Sequence, residues 1–149
     1  MATQKNGWGG WNGKSGFIIF AAVKSRKRIN SNRADDLYVQ LLSWLTQQAR
    51  YRTGACAQDE AAAYLGVSVY TLSAAVKQSA GVRYNDIVNR LRLRDACAML
   101  ADPACAHITA EDVGLTAGFA SRQAFYTAFR RYYEFTPNQY RAAHCPREE

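Results

Sequence analysis

The side chains best suited to chemistry in this chain are of two kinds, thiols and outward-facing polar groups on short helices. Thiol chemistry needs a thiolate clustered with a metal, a base or a second thiol. Cys56, Cys97, Cys105 and Cys145 form no CxxC pair, and His107 and His144 have no acid or cysteine at metal-ligand spacing. A redox, zinc or alkyl-accepting centre is therefore disfavoured, and no cofactor and no catalytic residue is expected. The other candidates are Tyr70, Thr71, Ser73, Ala74 and Lys77 in one segment, and Arg122, Gln123, Tyr126, Thr127, Arg130 and Arg131 in another. Arginine and glutamine can meet base edges with two hydrogen bonds, hydroxyls with one, and basic groups grip phosphate.

Both segments belong to one pattern that occurs twice, about fifty residues apart. The first copy runs Leu65-Gly66-Val67-Ser68, then Leu72 and Val76, then Gly81-Val82 and Ile87. The second runs Ala117-Gly118-Phe119, then Ser121, Phe125 and Phe129, then Glu134-Phe135 and Tyr140. Each copy has a glycine where a helix can end in a left-handed residue, a serine (Ser68, Ser121) able to cap the next helix, and apolar residues four apart on that helix. Such a unit is a helix-turn-helix, and two of them suggest two helices that read double-stranded DNA. The residues Leu72, Val76, Phe125 and Phe129 are core under any reading and say nothing about ligands.

The elements around these segments follow from periodicity and punctuation. A first helix starts near residue 31 or 32, with Asp35 and Asp36 at the positive end of its dipole and Leu37, Leu41, Trp44 and Leu45 at helical spacing. Helices over about 59–65, 69–78 and 84–100 come next. The last of these turns Ile87, Leu91, Leu93, Ala96, Cys97 and Leu100 inward and leaves Arg90, Arg92 and Arg94 on a solvated face. It is long enough to space the two units and ends at Asp102-Pro103. Thr109 with Asp112 caps a fifth helix, Ser121 caps a sixth over 122–131, and Thr136-Pro137 starts a short seventh. No stretch reads as a sheet, and Phe17-Ile18-Ile19-Phe20 reads either as one short strand or as an apolar patch for a partner chain. The expected fold is all-α: about seven helices in two helix-turn-helix subdomains joined by a long linker helix. The expected divisions are 1–33 as a basic leader containing Gly and Trp, 34–100 as the first subdomain with the linker helix, 101–143 as the second, and 144–149 as a tail.

Composition limits the argument from charge. The chain has 149 residues, 48% of them hydrophobic, enough for a core. Its net charge of +7 equals the seven cations Lys5, Lys14, Lys24, Arg26, Lys27, Arg28 and Arg33, and the remaining residues hold 12 cations against 12 acids. Affinity of the body for DNA must then come from local clustering. The leader reads either as a flexible segment or as a basic arm lying along phosphates. Its apolar run at residues 17–23 is too short to span a bilayer, so no membrane association is expected, and reduced thiols in the cytoplasm are the default.

Several stretches resemble the DNA-binding domain of the AraC/XylS family. They are Leu72-x3-Val76-Lys77, Gly81, Arg92-Leu93-x2-Ala96-x2-Met99-Leu100, Val113-x4-Gly118-Phe119-x5-Phe125-x3-Phe129-Arg130, and Thr136-Pro137-x2-Tyr140-Arg141. The similarity spans roughly residues 37 to 142. It implies a bacterial transcription regulator, an activator touching RNA polymerase at the nucleoid, that reads two successive major-groove segments as a monomer. It implies base contacts from Tyr70, Ser73 and Ala74 and from Arg122, Gln123, Tyr126 and Thr127. Phosphate contacts would come from Lys77, Arg130, Arg131 and the helix starts at Ser68 and Ser121. Relatives often carry arginine where this chain has Ala74, glycine at Glu134 and alanine at Gly114, departures expected to shift specificity to the second unit and to weaken its packing slightly. No effector-binding domain is apparent, which suggests a stand-alone regulator or a fragment of a larger one. Two alternatives stand beside this reading: an alkyl-accepting repair enzyme, and a protein-interaction module whose DNA contact is vestigial.

Overall fold

A computed structural model of the chain describes residues 32–144. The expected tail, Cys145 and all of the expected leader except its last two residues lie outside them. Seven α-helices and no strand occur among the described residues: α1 (Asn32–Thr46), α2 (Gln58–Tyr64), α3 (Val69–Ala80), α4 (Tyr84–Ala101), α5 (Ala110–Thr116), α6 (Arg122–Tyr133) and α7 (Pro137–His144). Helix starts and ends fall within two residues of the places marked by their caps and prolines.

Local chemistry explains those limits. Ser68 and Ser121 each accept a hydrogen bond 3.1 Å long, from the backbone N–H of Thr71 and of Ala124, so both helix-turn-helix units open their second helix with the same cap. Thr109 does the same for α5 by accepting from Asp112 N–H at 3.1 Å. At the start of α7, Thr136 and Gln139 cap each other reciprocally, through bonds of 3.2 and 2.8 Å, and Pro137 occupies the first helical position.

Two apolar clusters hold the molecule together. The first gathers Tyr38, Leu41, Trp44 and Leu45 of α1 with Leu72 and Val76 of α3 and Ile87, Val88 and Leu91 of α4. The second gathers Leu93, Ala96, Cys97 and Leu100 of α4 with Val113, Phe119, Phe125 and Phe129. The division between them falls within α4, between Leu91 and Leu93. One helix of 18 residues, about 27 Å at ~1.5 Å per residue, thus gives its N-terminal half to one core and its C-terminal half to the other.

That double use of α4 corrects one expectation. Arg90 is only 7% exposed, with its guanidinium over the Tyr132 ring, and Arg92 and Arg94 are half-buried. A helix packed by two bodies on different sides has no fully solvated stripe near its middle. Arg92 donates to the carbonyl of Tyr51 at 2.6 Å and lies over the Phe119 ring.

Gly114 also differs from the expectation of slightly loosened packing. A Cβ there would stand 2.5 Å from Cγ of Phe125, so the Phe125 ring already fills the space an alanine would take. At the end of α6, Glu134 has φ 59°, the left-handed conformation that Gly81 (φ 71°) adopts at the end of α3. A left-handed non-glycine residue costs about 1–2 kcal/mol, partly offset by the lower chain entropy it has when unfolded. Glu134→Gly is expected to stabilise the protein by about 0.5–1 kcal/mol, read as a rise in the urea midpoint; a lower midpoint would contradict this.

Candidate nucleic-acid interface

The outer face of α3 carries Tyr70, 83% exposed, with Ser73, Ala74 and Lys77 also exposed. Thr71 is half-buried and its hydroxyl sits 2.9 Å from that of Ser68, inside the cap. Lys77 reaches the carbonyl of Gly81 at 3.2 Å, an exposed contact that leaves its ammonium close to solvent. Ser73 accepts a 2.6 Å hydrogen bond from Gln58 at the start of α2.

On α6, Arg122, Gln123, Thr127, Arg130 and Arg131 are exposed. Gln123 and Thr127 lie one turn apart with side-chain polar atoms 3.5 Å from each other. Tyr126 differs from expectation: it is half-buried, because its ring stands edge-on to Phe125 with centroids 5.7 Å apart. Arg122 lies over the outer part of that tyrosine, 5.2 Å from the ring centroid, and faces Glu111 of α5 at 3.7 Å. Arg131 faces Asp86 of α4 at 3.6 Å. Both ion pairs are exposed on the arginine side, so a phosphate can compete for either cation at little cost.

The positive density of this surface is local. The N-termini of α3 and α6 each present free backbone N–H groups beside a serine cap, and basic side chains stand on the same helices. Helix α6 brings three arginines against one lysine on α3, and Ala74 supplies no hydrogen-bonding group in the middle of the α3 face.

Residues that sequence reading passed over hold the two units together. Asp95, 9% exposed, accepts from the Tyr51 hydroxyl at 2.5 Å and from Arg52 Nε at 2.7 Å, and pairs with Arg94 at 3.3 Å. Burial first, and then the facing Asp95 carboxylate, hold the Tyr51 hydroxyl above the usual phenol range. Tyr51 and Arg52 end a 3-10 turn, Gln47–Arg52, that contains a left-handed pair at Gln48 and Ala49. One signal was available: Asp95 stands four residues after the inward Leu91 and next to the inward Ala96, where a carboxylate must find a partner.

The thiols of Cys56 and Cys97 are core atoms, and Cys105 is half-buried. Burial pushes the Cys97 thiol up to about 11, and Cys56 is buried with its sulfur 3.3 Å from the carbonyl of Thr53. Among the described residues no group of three His, Cys, Asp or Glu side chains could hold a metal ion, and no helix is long and apolar enough to cross a membrane.

Two capped helix-turn-helix units built on a shared connecting helix define a tandem helix-turn-helix DNA-binding domain. The sequence matches the family model described as a helix-turn-helix domain over residues 61–143. The chain belongs to this AraC-type helix-turn-helix family, whose members are DNA-binding transcription regulators rather than enzymes. Among solved structures it is similar to an AraC-type transcriptional regulator from Chromobacterium violaceum, at 28% identity and a TM-score of 0.54, covering 62% of this chain and 80% of that one. A protein of unknown function from Listeria innocua shares the fold, with 20% identity, a TM-score of 0.62, and coverage of 72% of this chain and 96% of that one. No curated protein matches the sequence.

Proposed function

We propose that the protein is a transcription activator of the bacterial cytoplasm that binds double-stranded DNA as a monomer. It lays α3 and α6 into two adjacent major-groove segments about one helical turn apart. Residues 34–100 and 101–143 are the two reading subdomains in this proposal. The observation that carries it is the duplicated geometry: two helices opened by the same 3.1 Å serine cap, each with an exposed polar face and each backed by its own apolar cluster. The Chromobacterium violaceum relative, named as a regulator with an AraC-type DNA-binding domain, supports the class of ligand.

The contacts divide by chemistry. Arg122 and Gln123 meet base edges with bidentate hydrogen bonds, guanine and adenine being the bases whose major-groove edges suit them. Thr127 and Tyr126 add single contacts, and Tyr70, Ser73 and Ala74 on α3 read mainly by shape and apolar contact. Thr71 orders the cap through Ser68. Lys77, Arg130, Arg131 and the N–H groups at Ser68 and Ser121 grip phosphate and set the register. Activation works through a contact with RNA polymerase. The exposed Ala74 favours the second reading, an interaction module with weak or non-specific DNA binding, because it leaves the centre of one reading face without a donor or acceptor.

In vitro selection of bound duplexes tests both. The activator reading expects two short fixed blocks about one turn apart, and selection that returns no preferred sequence leaves only the second. Lys77→Ala is expected to weaken selected and random duplexes alike and to lower the salt slope by about 1, measured by titration at several salt concentrations. A loss confined to the selected site would make Lys77 a base reader instead.

A further inference from the structure

The two reading helices sit on separate cores joined by α4, and two further sets of contacts act on the distance and angle between them. Two straps tie the elements of the two units to α4 and to each other. In the first, the carboxylate of Asp95 on α4 holds Arg52 at 2.6 Å and the Tyr51 hydroxyl at 2.5 Å, and Arg92 holds the Tyr51 carbonyl at 2.6 Å. The 3-10 turn fixed in this way is the surface on which the turn of the second unit sits. Gly118 lies so close to it that an added Cβ would be 2.6 Å from Cα of Arg52, and the Phe119 ring lies under Arg92. In the second strap, Tyr132 at the end of α6 donates to Asp86 near the start of α4 at 3.0 Å, with Arg131 beside it.

We infer that Asp95 is a positioning residue for DNA recognition: through Arg52 and Tyr51 it locks the second helix-turn-helix unit against the first, and so sets the spacing between DNA blocks that the protein accepts. This rests on the two-segment reading proposed above. Asp95 touches no DNA in this scheme. It is buried at the junction, and its effect reaches the duplex only through the relative placement of α3 and α6. Without the carboxylate, Arg52 loses its ion pair and the 3-10 turn keeps only its bonds from Arg92 and Arg94 of α4, so the units retain their cores and the shared α4 while the second sits less firmly against the first.

The test uses the full chain and duplexes carrying its selected blocks at the selected spacing, with one base pair added, with one removed, or with one block scrambled. The wild-type protein is expected to lose about tenfold or more in affinity for either altered spacing, since a base pair shifts the second block by about a tenth of a helical turn. Asp95→Asn keeps the size of the side chain and removes its charge. It is expected to lose less than about threefold on altered spacing while matching wild type within about twofold on the single-block duplex. Arg52→Gln, at a largely exposed side chain, is measured in parallel and should show the same relaxation even if Asp95→Asn fails to fold. Folded variants that retain the full tenfold penalty overturn the role of Asp95 and leave the two-segment reading standing. A wild type indifferent to spacing overturns both.

Discussion

Gly118→Ala is expected to destabilise the protein by about 4 kcal/mol, a large part of the total stability of a domain this size. Two independent costs add. Gly118 has φ 105°, a conformation that a residue with a Cβ adopts only under strain of about 1–3 kcal/mol. The new methyl would also stand 2.6–2.9 Å from three backbone atoms of Arg52, and backbone cannot step aside as a flexible side chain can. Relief requires the second unit to lift away from the 3-10 turn, which breaks the packing of Phe119 beneath Arg92. Urea unfolding followed by circular dichroism measures the loss; a midpoint within experimental error of wild type would show that the turn has room the geometry denies. Gly81→Ala makes a useful contrast. It too has a left-handed φ, but a Cβ there meets nothing within 4 Å, so only the conformational cost applies.

The second large effect is on recognition. Arg122→Ala and Gln123→Ala are each expected to cost about 1–3 kcal/mol on the selected site, roughly five- to 150-fold in Kd, and little on random DNA. Both side chains are exposed on the first turn of α6, beside the Ser121 cap, the end of the helix that the proposed docking brings to the duplex. The two variants differ in a way that tests the assignment further. Removing Arg122 also frees Glu111, its partner at 3.7 Å, and a carboxylate released near phosphates repels them. Arg122→Ala should therefore weaken random DNA slightly as well, whereas Gln123→Ala should not. Equal losses on selected and random duplexes for both variants would show that α6 grips the backbone without reading bases.

Much of the scaffold was legible because its signals are local. Ser68, Ser121, Thr109 and Thr136 cap helices with their own side chains within three residues, and Leu72, Val76, Phe125 and Phe129 mark inward faces by spacing alone. The outward faces of α3 and α6 followed from the same period. Thr71 and Tyr126 failed this inference for separate reasons: a hydroxyl drawn into the cap, and a ring large enough to lie back along Phe125. Periodicity assigns a direction to each Cα–Cβ bond and says nothing of where a long side chain comes to rest.

What the sequence by itself determined was the duplicated unit, its helix boundaries, its all-α class and the side chains available on each outer face. Each of these is set by residues within one or two helical turns of each other. Tertiary structure alone decided how the copies are joined: that α4 divides between two cores, that Arg90 is buried at Tyr132, that Asp95 gathers Tyr51, Arg52 and Arg94, and that Gly118 rests on the backbone of Arg52. Apart from the one between the neighbours Arg94 and Asp95, those side-chain and backbone contacts link residues more than forty positions apart, brought together only when the chain closes on itself, and no local rule of spacing records such a meeting.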